Sequence, residues 1–280
     1  MNAVSGEGIL EIRNLSVEYR KKGLRRGTFT AVENASLAIR RGETLGLVGE
    51  SGSGKTTIGR AVLGLAPVTS GSILFDGRDI SHLDRRARRR ISRDLQVVFQ
   101  DPYSSLNPSM LVGDILSEPL SAQGVSGRDA RARVARLLDQ VGLPTDAISR
   151  LPREFSGGQR QRIAIARALA LEPKLIVCDE PVSALDLTTQ ARILDLLLSI
   201  QLETGVSYLF VSHDLDVVRH LSHRVAVIYR GRIVEQGSAR QVTEDPAHEY
   251  TRRLLMASPV IDPTRQAERR VARQSLVTSP

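Results

Sequence analysis

The segment Gly49-Glu-Ser-Gly-Ser-Gly-Lys55-Thr56 decides the fold of this chain, because it satisfies the pattern G-x-x-x-x-G-K-[ST]. Residues 44–48 run directly into it and have the apolar composition of a buried strand. A glycine-rich loop between a strand and a helix can close its backbone N–H groups around phosphate oxygens, and the helix N-terminus adds the positive end of its dipole. The segment is therefore predicted to be a P-loop.

The residues of this loop are predicted to surround the phosphates of a nucleotide. Lys55 should reach the β- and γ-phosphates, and Thr56 should ligate Mg²⁺. The predicted nucleotide-binding set is Gly49, Glu50, Ser51, Gly52, Ser53, Gly54, Lys55, Thr56 and Thr57.

A second apolar strand, Leu175-Ile-Val-Cys-Asp179-Glu180, ends in two carboxylates. Asp179 suits Mg²⁺ coordination, directly or through water, and Glu180 is placed to polarise an attacking water molecule. An apolar strand that ends in Asp-Glu is weak evidence alone. Together with a P-loop, it predicts a nucleotide hydrolysis site.

The composition is that of a globular protein and excludes several other classes. The 280 residues are 41% hydrophobic and 25% charged, which is ordinary for a globular protein. No apolar stretch approaches the roughly 18–20 residues that cross a bilayer, and Met1–Gly8 lacks the features of a signal peptide. A single cysteine, Cys178, excludes a disulfide framework, a cysteine-ligated zinc site and an iron–sulfur cluster. We expect the chain to work in the cytoplasm.

The net charge of +8 comes almost entirely from arginine, and its densest run is residues 85–93. A solvated helix face is the favoured interpretation, and a patch for anionic lipid or nucleic acid is the alternative. No aromatic residue interleaves with the run to stack on bases, and tryptophan is absent. We therefore expect no nucleic-acid partner.

The order of predicted elements indicates an α/β fold: a P-loop NTPase (RecA-like) core with an N-terminal antiparallel β subdomain and an inserted α-helical subdomain. The N-terminal strands are interrupted by a basic hairpin at residues 21–28, and Ser126 opens a helix in the insertion. The predicted domains are 1–100 with 157–240 for the core, 101–156 for the helical subdomain and 241–280 for a C-terminal extension. Later elements are predicted as helices at 160–171, 188–203 and 215–221 and strands at 175–178, 208–211 and 225–229.

A second anion cradle is predicted at Phe155-Ser-Gly-Gly-Gln159, where two glycines and a serine precede a helix. Because one nucleotide already has its P-loop, this cradle must serve something else. The two cradles, Asp179-Glu180, Ser183-Ala-Leu-Asp186 and His213 together resemble the ATP-binding-cassette (ABC) ATPases, over residues 9–237. The order and spacing of these motifs make the resemblance specific, although Phe155 stands where the family more often has leucine.

The resemblance implies further roles. Gln100 matches the glutamine that contacts Mg²⁺ and the attacking water, and His213 matches the switch histidine that contacts the γ-phosphate. Without the resemblance, the segment Ser212-His-Asp214 predicts that His213 caps a helix. Tyr19 is placed to stack on adenine, with Phe29 as the alternative.

The resemblance also implies a head-to-tail pair of cassettes. Each ATP then lies between the P-loop of one chain and the second cradle, called the signature (residues 155–159), of the other. An isolated monomer should then hydrolyse ATP poorly. The residues implied to act across such an interface are Ser156, Gly157, Gly158, Gln159 and Asp186.

Three segments give a finer resemblance, to ATPase subunits of dipeptide, oligopeptide, nickel and glutathione importers. They are residues 99–108, 180–186 and 245–251, although His248-Glu249-Tyr250 departs from the usual His-Pro-Tyr. The stretches Pro181-Val-Ser-Ala184 and Gln159-Arg-Gln-Arg-Ile163 resemble the second ("F-type") ATPase of the pair. This implies a second cassette ATPase, two transmembrane permease subunits that contact residues 101–112, and an extracytoplasmic substrate-binding protein. The chain would be peripheral, on the cytoplasmic face of the cell membrane.

Two alternatives remain. An accessory ATPase of carbon–phosphorus lyase resembles these subunits and works in a soluble complex. An ATP-gated regulatory module is the other, and it would have lost catalytic groups. The chain retains Lys55, Gln100, Asp179, Glu180 and His213.

Overall fold

A computed structural model describes residues 8–20 and 27–257. Most of the predicted basic hairpin and the tail from residue 258 onward therefore lie outside the described residues. Within these ranges the strands are β1 (Gly8–Arg20), β2 (Thr28–Arg40), β3 (Thr44–Val48), β4 (Ser70–Phe75), β5 (Arg78–Asp79), β6 (Leu95–Val98), β7 (Leu175–Asp179), β8 (Ser207–Ser212), β9 (Arg224–Tyr229) and β10 (Arg232–Ser238). The helices are α1 (Lys55–Val62), α2 (Arg85–Ile91), α3 (Pro102–Ser105), α4 (Val112–Ala122), α5 (Gly127–Gln140), α6 (Gly157–Leu169), α7 (Leu187–Thr204), α8 (Leu215–Leu221), α9 (Ala239–Glu244) and α10 (Glu249–Ala257).

The strands form two sheets. One has the order β10-β9-β3-β8-β7-β6 and is parallel except for β10, which pairs antiparallel with β9. The other is antiparallel, in the order β2-β1-β4-β5. The α/β fold, with its N-terminal antiparallel β subdomain and its helical insertion, is confirmed.

The parallel sheet is covered on both faces, as its continuous apolar strands require. Successive side chains of a strand point to opposite faces. Leu45 and Leu47 pack in the cluster that contains the antiparallel sheet and α1. Val48 and Phe210 belong to the cluster that contains α4, α5 and α6. The same strands therefore hold the P-loop helix on one side and the helical insertion on the other.

The insertion contains α3, α4, α5 and two short 3₁₀ helices, Thr145–Ser149 and Pro152–Glu154. Ser126 caps α5 as predicted, because its hydroxyl accepts a hydrogen bond from the Asp129 N–H at 3.3 Å. Helix α4 was not predicted; it begins after Leu111 without a side-chain cap and contains Pro119. The exact domain limits remain a prediction.

Two elements near the C-terminus escaped prediction. Strand β10 is an edge strand with glycine and charged residues and no fully buried position, so it shows no apolar run. Helix α9 is short and begins at the Ser238 cap. Helix α6 begins at Gly157 rather than at the predicted Arg160, because Ser156 caps it.

The arginine-rich run forms α2, none of whose residues is fully buried. This supports the solvated-face interpretation, with one exception. Arg88 donates hydrogen bonds to the carbonyls of Val62 at 3.1 Å and Ile80 at 2.6 Å, and so ties α2 to the core. Among the described helices, none combines the length and apolar character needed to span a bilayer.

Candidate functional site

The P-loop joins β3 to α1, and the structure requires glycine at two of its positions. A Cβ at Gly49 would lie 2.2 Å from the Ile228 carbonyl oxygen, so this close approach requires glycine. Gly54 has a φ of 111°, a left-handed conformation that residues with side chains rarely adopt. These two glycines let the loop fold tightly around its own lysine.

Lys55 is buried beneath the loop. Its ammonium donates hydrogen bonds to the carbonyls of Gly49 at 2.7 Å and Glu50 at 2.8 Å, and it lies 4.0 Å from a carboxylate oxygen of Glu180. Burial lowers the pKa of Lys55, and the nearby carboxylates of Glu180 and Asp179 oppose this effect. The lysine is thus a partly desolvated cation at the base of the loop.

Thr56 and Asp179 bring two oxygen atoms together, since the threonine hydroxyl donates to Oδ1 of Asp179 at 2.9 Å. Burial raises the pKa of Asp179, and the hydrogen bond from Thr56 opposes this rise. No group of three or more metal-ligating side chains occurs in the ranges 8–20 and 27–257. Two hard oxygen donors fit Mg²⁺, which usually takes one or two protein ligands and completes its shell with phosphate and water.

Glu180 is the point at which the predicted catalytic groups meet. Its φ of 48° turns the chain sharply after β7, and its N–H donates to the Val211 carbonyl at 3.0 Å. Gln100 Nε2 lies 3.5 Å and His213 Nδ1 3.1 Å from the same carboxylate oxygen, Oε2. With Lys55 near Oε1, the other three predicted catalytic residues converge on the carboxylate of the fourth, Glu180.

His213 does not cap a helix. Asp214 is the cap of α8, and its carboxylate accepts hydrogen bonds from the N–H groups of Asp216 at 2.8 Å and Val217 at 3.4 Å. The capping interpretation of His213 is therefore wrong by one residue. The imidazole is left to contact Glu180.

A cavity of about 350 Å³ opens beside the loop. Tyr19 and Phe29 both line it, and they are directly paired across β1 and β2. Tyr19 is half-buried, whereas Phe29 is 54% exposed. The two aromatic rings therefore form one wall, whereas only one of them was expected to stack on adenine. The rest of the lining is Ala31, Ser51, Gly52, Gly54, Lys55, Thr56, Thr57, Gln100 and Glu180.

The predicted signature residues do not line this cavity. Ser156 caps α6, and its N–H donates to Oε1 of Gln159 at 3.0 Å. Asp186 caps α7, where it accepts hydrogen bonds from the Thr189 N–H at 2.9 Å and hydroxyl at 2.7 Å. These bonds lower the pKa of Asp186. A Cβ at Gly158 would lie 2.3 Å from the Thr189 methyl carbon, so the starts of the two helices touch.

One contact of the P-loop was not predicted from the sequence. The Glu50 N–H donates to the hydroxyl of Tyr250 at 3.0 Å. Tyr250 lies in the segment 245–251, which we singled out only for its resemblance. Nothing local in the sequence indicates that its hydroxyl reaches a loop 200 positions away.

Comparison with known sequences gives a family match. Residues 32–183, more than half of the chain, match the profile described as ABC transporter. The chain is 54% identical over 263 residues to the oligopeptide transport ATP-binding protein OppD of Mycobacterium tuberculosis, covering 92% of this chain and 43% of that protein. It is 52% identical over 273 residues to the glutathione import ATP-binding protein GsiA of Escherichia coli, covering 96% and 44%. The chain thus spans less than half the length of these curated relatives.

Solved structures share the fold. One is cbiO1 from Clostridium perfringens, part of the ABC transporter complex cbiONQ, with a TM-score of 0.76 and 29% identity, covering 86% of this chain and 92% of that one. Another is the ATP-binding cassette MJ0796, in a dimeric post-hydrolysis state bound to ADP and Pi. It has a TM-score of 0.74 and 31% identity, covering 82% of this chain and 99% of that one.

Proposed function

The chain belongs to the ABC transporter family, and on that premise we propose that it binds and hydrolyses ATP as the motor subunit of an importer for peptides. The observation that carries the proposal is the convergence of Lys55, Gln100 and His213 on the carboxylate of Glu180, beside a cavity lined by the P-loop. A purely regulatory nucleotide module has no need of this arrangement.

In this proposal the Glu180 carboxylate accepts a proton from the attacking water molecule, while His213 and Gln100 hold the carboxylate in position. Lys55 binds the β- and γ-phosphates. Mg²⁺, held by Thr56, Gln100 and Asp179, would neutralise charge that develops on the phosphates. The loop amides bind the remaining phosphate oxygens, and the wall formed by Tyr19 and Phe29 stacks on adenine.

The signature residues fit an action on a second cassette. Ser156 and Gln159 are exposed and lie outside the cavity formed by the chain's own P-loop. Asp186 is exposed at the adjoining start of α7. We propose that these residues complete the site of a partner ATPase, and that the partner is a different, paired cassette.

Import and its substrate class are supported by the similarity to OppD and GsiA, whose names specify oligopeptide transport and glutathione import. We propose two membrane-spanning permease subunits and an extracytoplasmic binding protein as further partners. The chain would then be peripheral, on the cytoplasmic face of the membrane. Exposed Phe99 and Tyr103, beside Gln100, support a permease contact at residues 101–112.

The test is to purify the chain from its native cells in a mild detergent and to identify the accompanying proteins by mass spectrometry. The proposal expects two multi-span membrane proteins and a second cassette ATPase. A Glu180→Gln variant should recover the same set, because it changes chemistry rather than the surface that binds the permeases. Recovery of soluble enzymes alone, such as a carbon–phosphorus lyase complex, would contradict the transport role.

A further inference from the structure

The P-loop is held from outside at several points. The Gly231 N–H donates to the Ser53 carbonyl at 2.9 Å, and Gly49 packs against the Ile228 carbonyl. The third contact is the hydrogen bond from the Glu50 N–H to the Tyr250 hydroxyl. The first two contacts come from the β9–β10 region of the core sheet. The third comes from α10, which follows the last strand of the described chain.

Tyr250 is fixed by its surroundings. It is 3% exposed, and its ring centroid lies 4.1 Å from that of Tyr229 at the end of β9. Its N–H donates to Nδ1 of His248 at 3.1 Å. The carboxylate of Glu235 on β10 accepts hydrogen bonds from the N–H groups of Ala247 at 2.7 Å and His248 at 3.1 Å. The start of α10 is thereby attached to β10, and these contacts hold the Tyr250 hydroxyl beside the Glu50 N–H.

We propose that Tyr250 is a positioning residue of the P-loop, which holds the Glu50 amide so that the neighbouring loop amides are arranged for phosphate before a nucleotide arrives. This inference rests on the proposed function as an ATP-binding subunit. It gives the C-terminal helix α10 a part in nucleotide binding, although α10 contributes no residue to the cavity lining.

The physical reason is pre-organisation. A loop that samples several conformations must be ordered by its ligand, and this ordering weakens binding. A phenylalanine at position 250 would keep the ring contact with Tyr229 and remove only the hydrogen bond to the Glu50 N–H. Loss of the hydroxyl should therefore alter the loop more than the packing of α10. Burial raises the pKa of Tyr250, in keeping with a neutral phenol that accepts this hydrogen bond.

The experiment compares the full-length chain with Tyr250→Phe and Tyr229→Phe. Tyr250→Phe keeps the ring pair and removes the hydroxyl at Glu50. Tyr229→Phe removes a hydroxyl from the other ring of the same pair. We expect the Kd for ADP, measured calorimetrically, to rise about three- to tenfold in Tyr250→Phe. This factor corresponds to the free energy that one hydrogen bond usually contributes. The KM for ATP should rise by a similar factor with kcat nearly unchanged, and Tyr229→Phe should match the wild type.

Hydrogen exchange of the Glu50 amide, followed by NMR without nucleotide, reports on the contact itself. It should accelerate in Tyr250→Phe alone. Wild-type ADP affinity in Tyr250→Phe, or an equal loss in Tyr229→Phe, would overturn the positioning role. A wild-type chain that binds neither ADP nor ATP would instead overturn the proposed function, and the positioning role with it, even if the amide contact proves real.

Discussion

The imidazole of His213 lies with Nδ1 3.1 Å from Oε2 of Glu180, across a gap of 33 residues in sequence. The parallel pairing of β7 with β8 explains this proximity. Asp179 is paired with Val211, so the chain segments that leave both strands emerge at the same edge of the sheet. The two side chains therefore meet where parallel sheets place their ligands, outside the carboxyl ends of the strands.

This contact predicts a selective loss in the His213→Ala variant. Without the imidazole the Glu180 carboxylate loses a partner that holds it in position, so kcat for ATP hydrolysis should fall by at least about tenfold. The matched control is His220→Ala, because His220 pairs with Asp195 at 3.2 Å on the exposed surface of α8 and α7. Steady-state assays should show near wild-type turnover for the control. Equal activities of the two variants would contradict the role of His213.

When the chain is purified without the different cassette proposed above, two of its copies can form a test pair, and action of the signature across chains then predicts complementation between two inactive variants. Lys55→Ala removes a P-loop cation, and Ser156→Arg blocks the exposed cap of α6. A mixed pair of copies has one site with both defects and one intact site. Because half of the pairs are mixed in an equal mixture, about a quarter of wild-type activity should return.

Phosphate release from the separate and mixed variants measures this effect. The wild-type chain is the control, since its specific activity should rise with protein concentration as pairs form. If that rise occurs and the mixture is no more active than its components, the signature does not act across chains.

The contact between α6 and α7 predicts a stability effect that a second substitution repairs. A Cβ at Gly158 would lie 2.3 Å from the methyl carbon of Thr189. Gly158→Ala should therefore cost about 1–3 kcal/mol of stability, which is typical of overpacking. Adding Thr189→Ser removes the methyl group and keeps the hydroxyl that bonds Asp186. Thermal melts should show recovery in the double variant, and additive losses would contradict the packing relationship.

Asp76 predicts a pH-dependent contribution to stability. A hydrogen bond from Lys174 at 2.7 Å, with a contact from Arg41, lowers the pKa of this carboxyl. A lowered pKa in the folded state stabilises the protein above the unfolded value, about 3.9, and the contribution disappears as the pH falls through the folded value. Because Asp76 is 31% exposed, the contribution at pH 7 should be at most about 1 kcal/mol.

Asp76→Asn tests this, since asparagine tolerates the φ of 50° at this turn position. Denaturant melts should show a loss at pH 7 that shrinks below about pH 4. The same substitution in a Lys174→Gln background should cost less. An equal loss at both pH values would mean that the carboxylate charge is not the cause.

Local patterns in the sequence predicted the parts of the fold that depend on local physics. The apolar β3, the P-loop glycines and the Ser126 cap each carry their signal within a few residues. The edge strand β10 has no such signal, because its pairing with β9 stabilises it rather than its own composition. The prediction that His213 caps a helix was wrong because the neighbouring Asp214 can also accept hydrogen bonds from the first turn of α8, and it is the residue that does so.

In the site, too, some features could be predicted from the sequence and others depend on tertiary packing. Lys55 and Glu180 were identified from their own motifs, whereas the roles of Gln100 and His213 came from the family resemblance. The structure brings Lys55, Gln100 and His213 to the Glu180 carboxylate. The contact between Tyr250 and Glu50 could not be predicted, because it depends on how α10 packs against β9 and β10. The pairing of Tyr19 with Phe29 likewise depends on strand register, which changes at several points along the β1–β2 pair.

ATP turnover and ATP binding by the Glu180→Gln variant are the measurements to make first. The glutamine amide keeps the shape of the side chain and cannot accept the proton of the attacking water molecule. We predict ATP affinity close to that of the wild type and a loss of turnover of about a hundredfold or more. Near wild-type hydrolysis in this variant would contradict the assignment of Glu180 as the catalytic base.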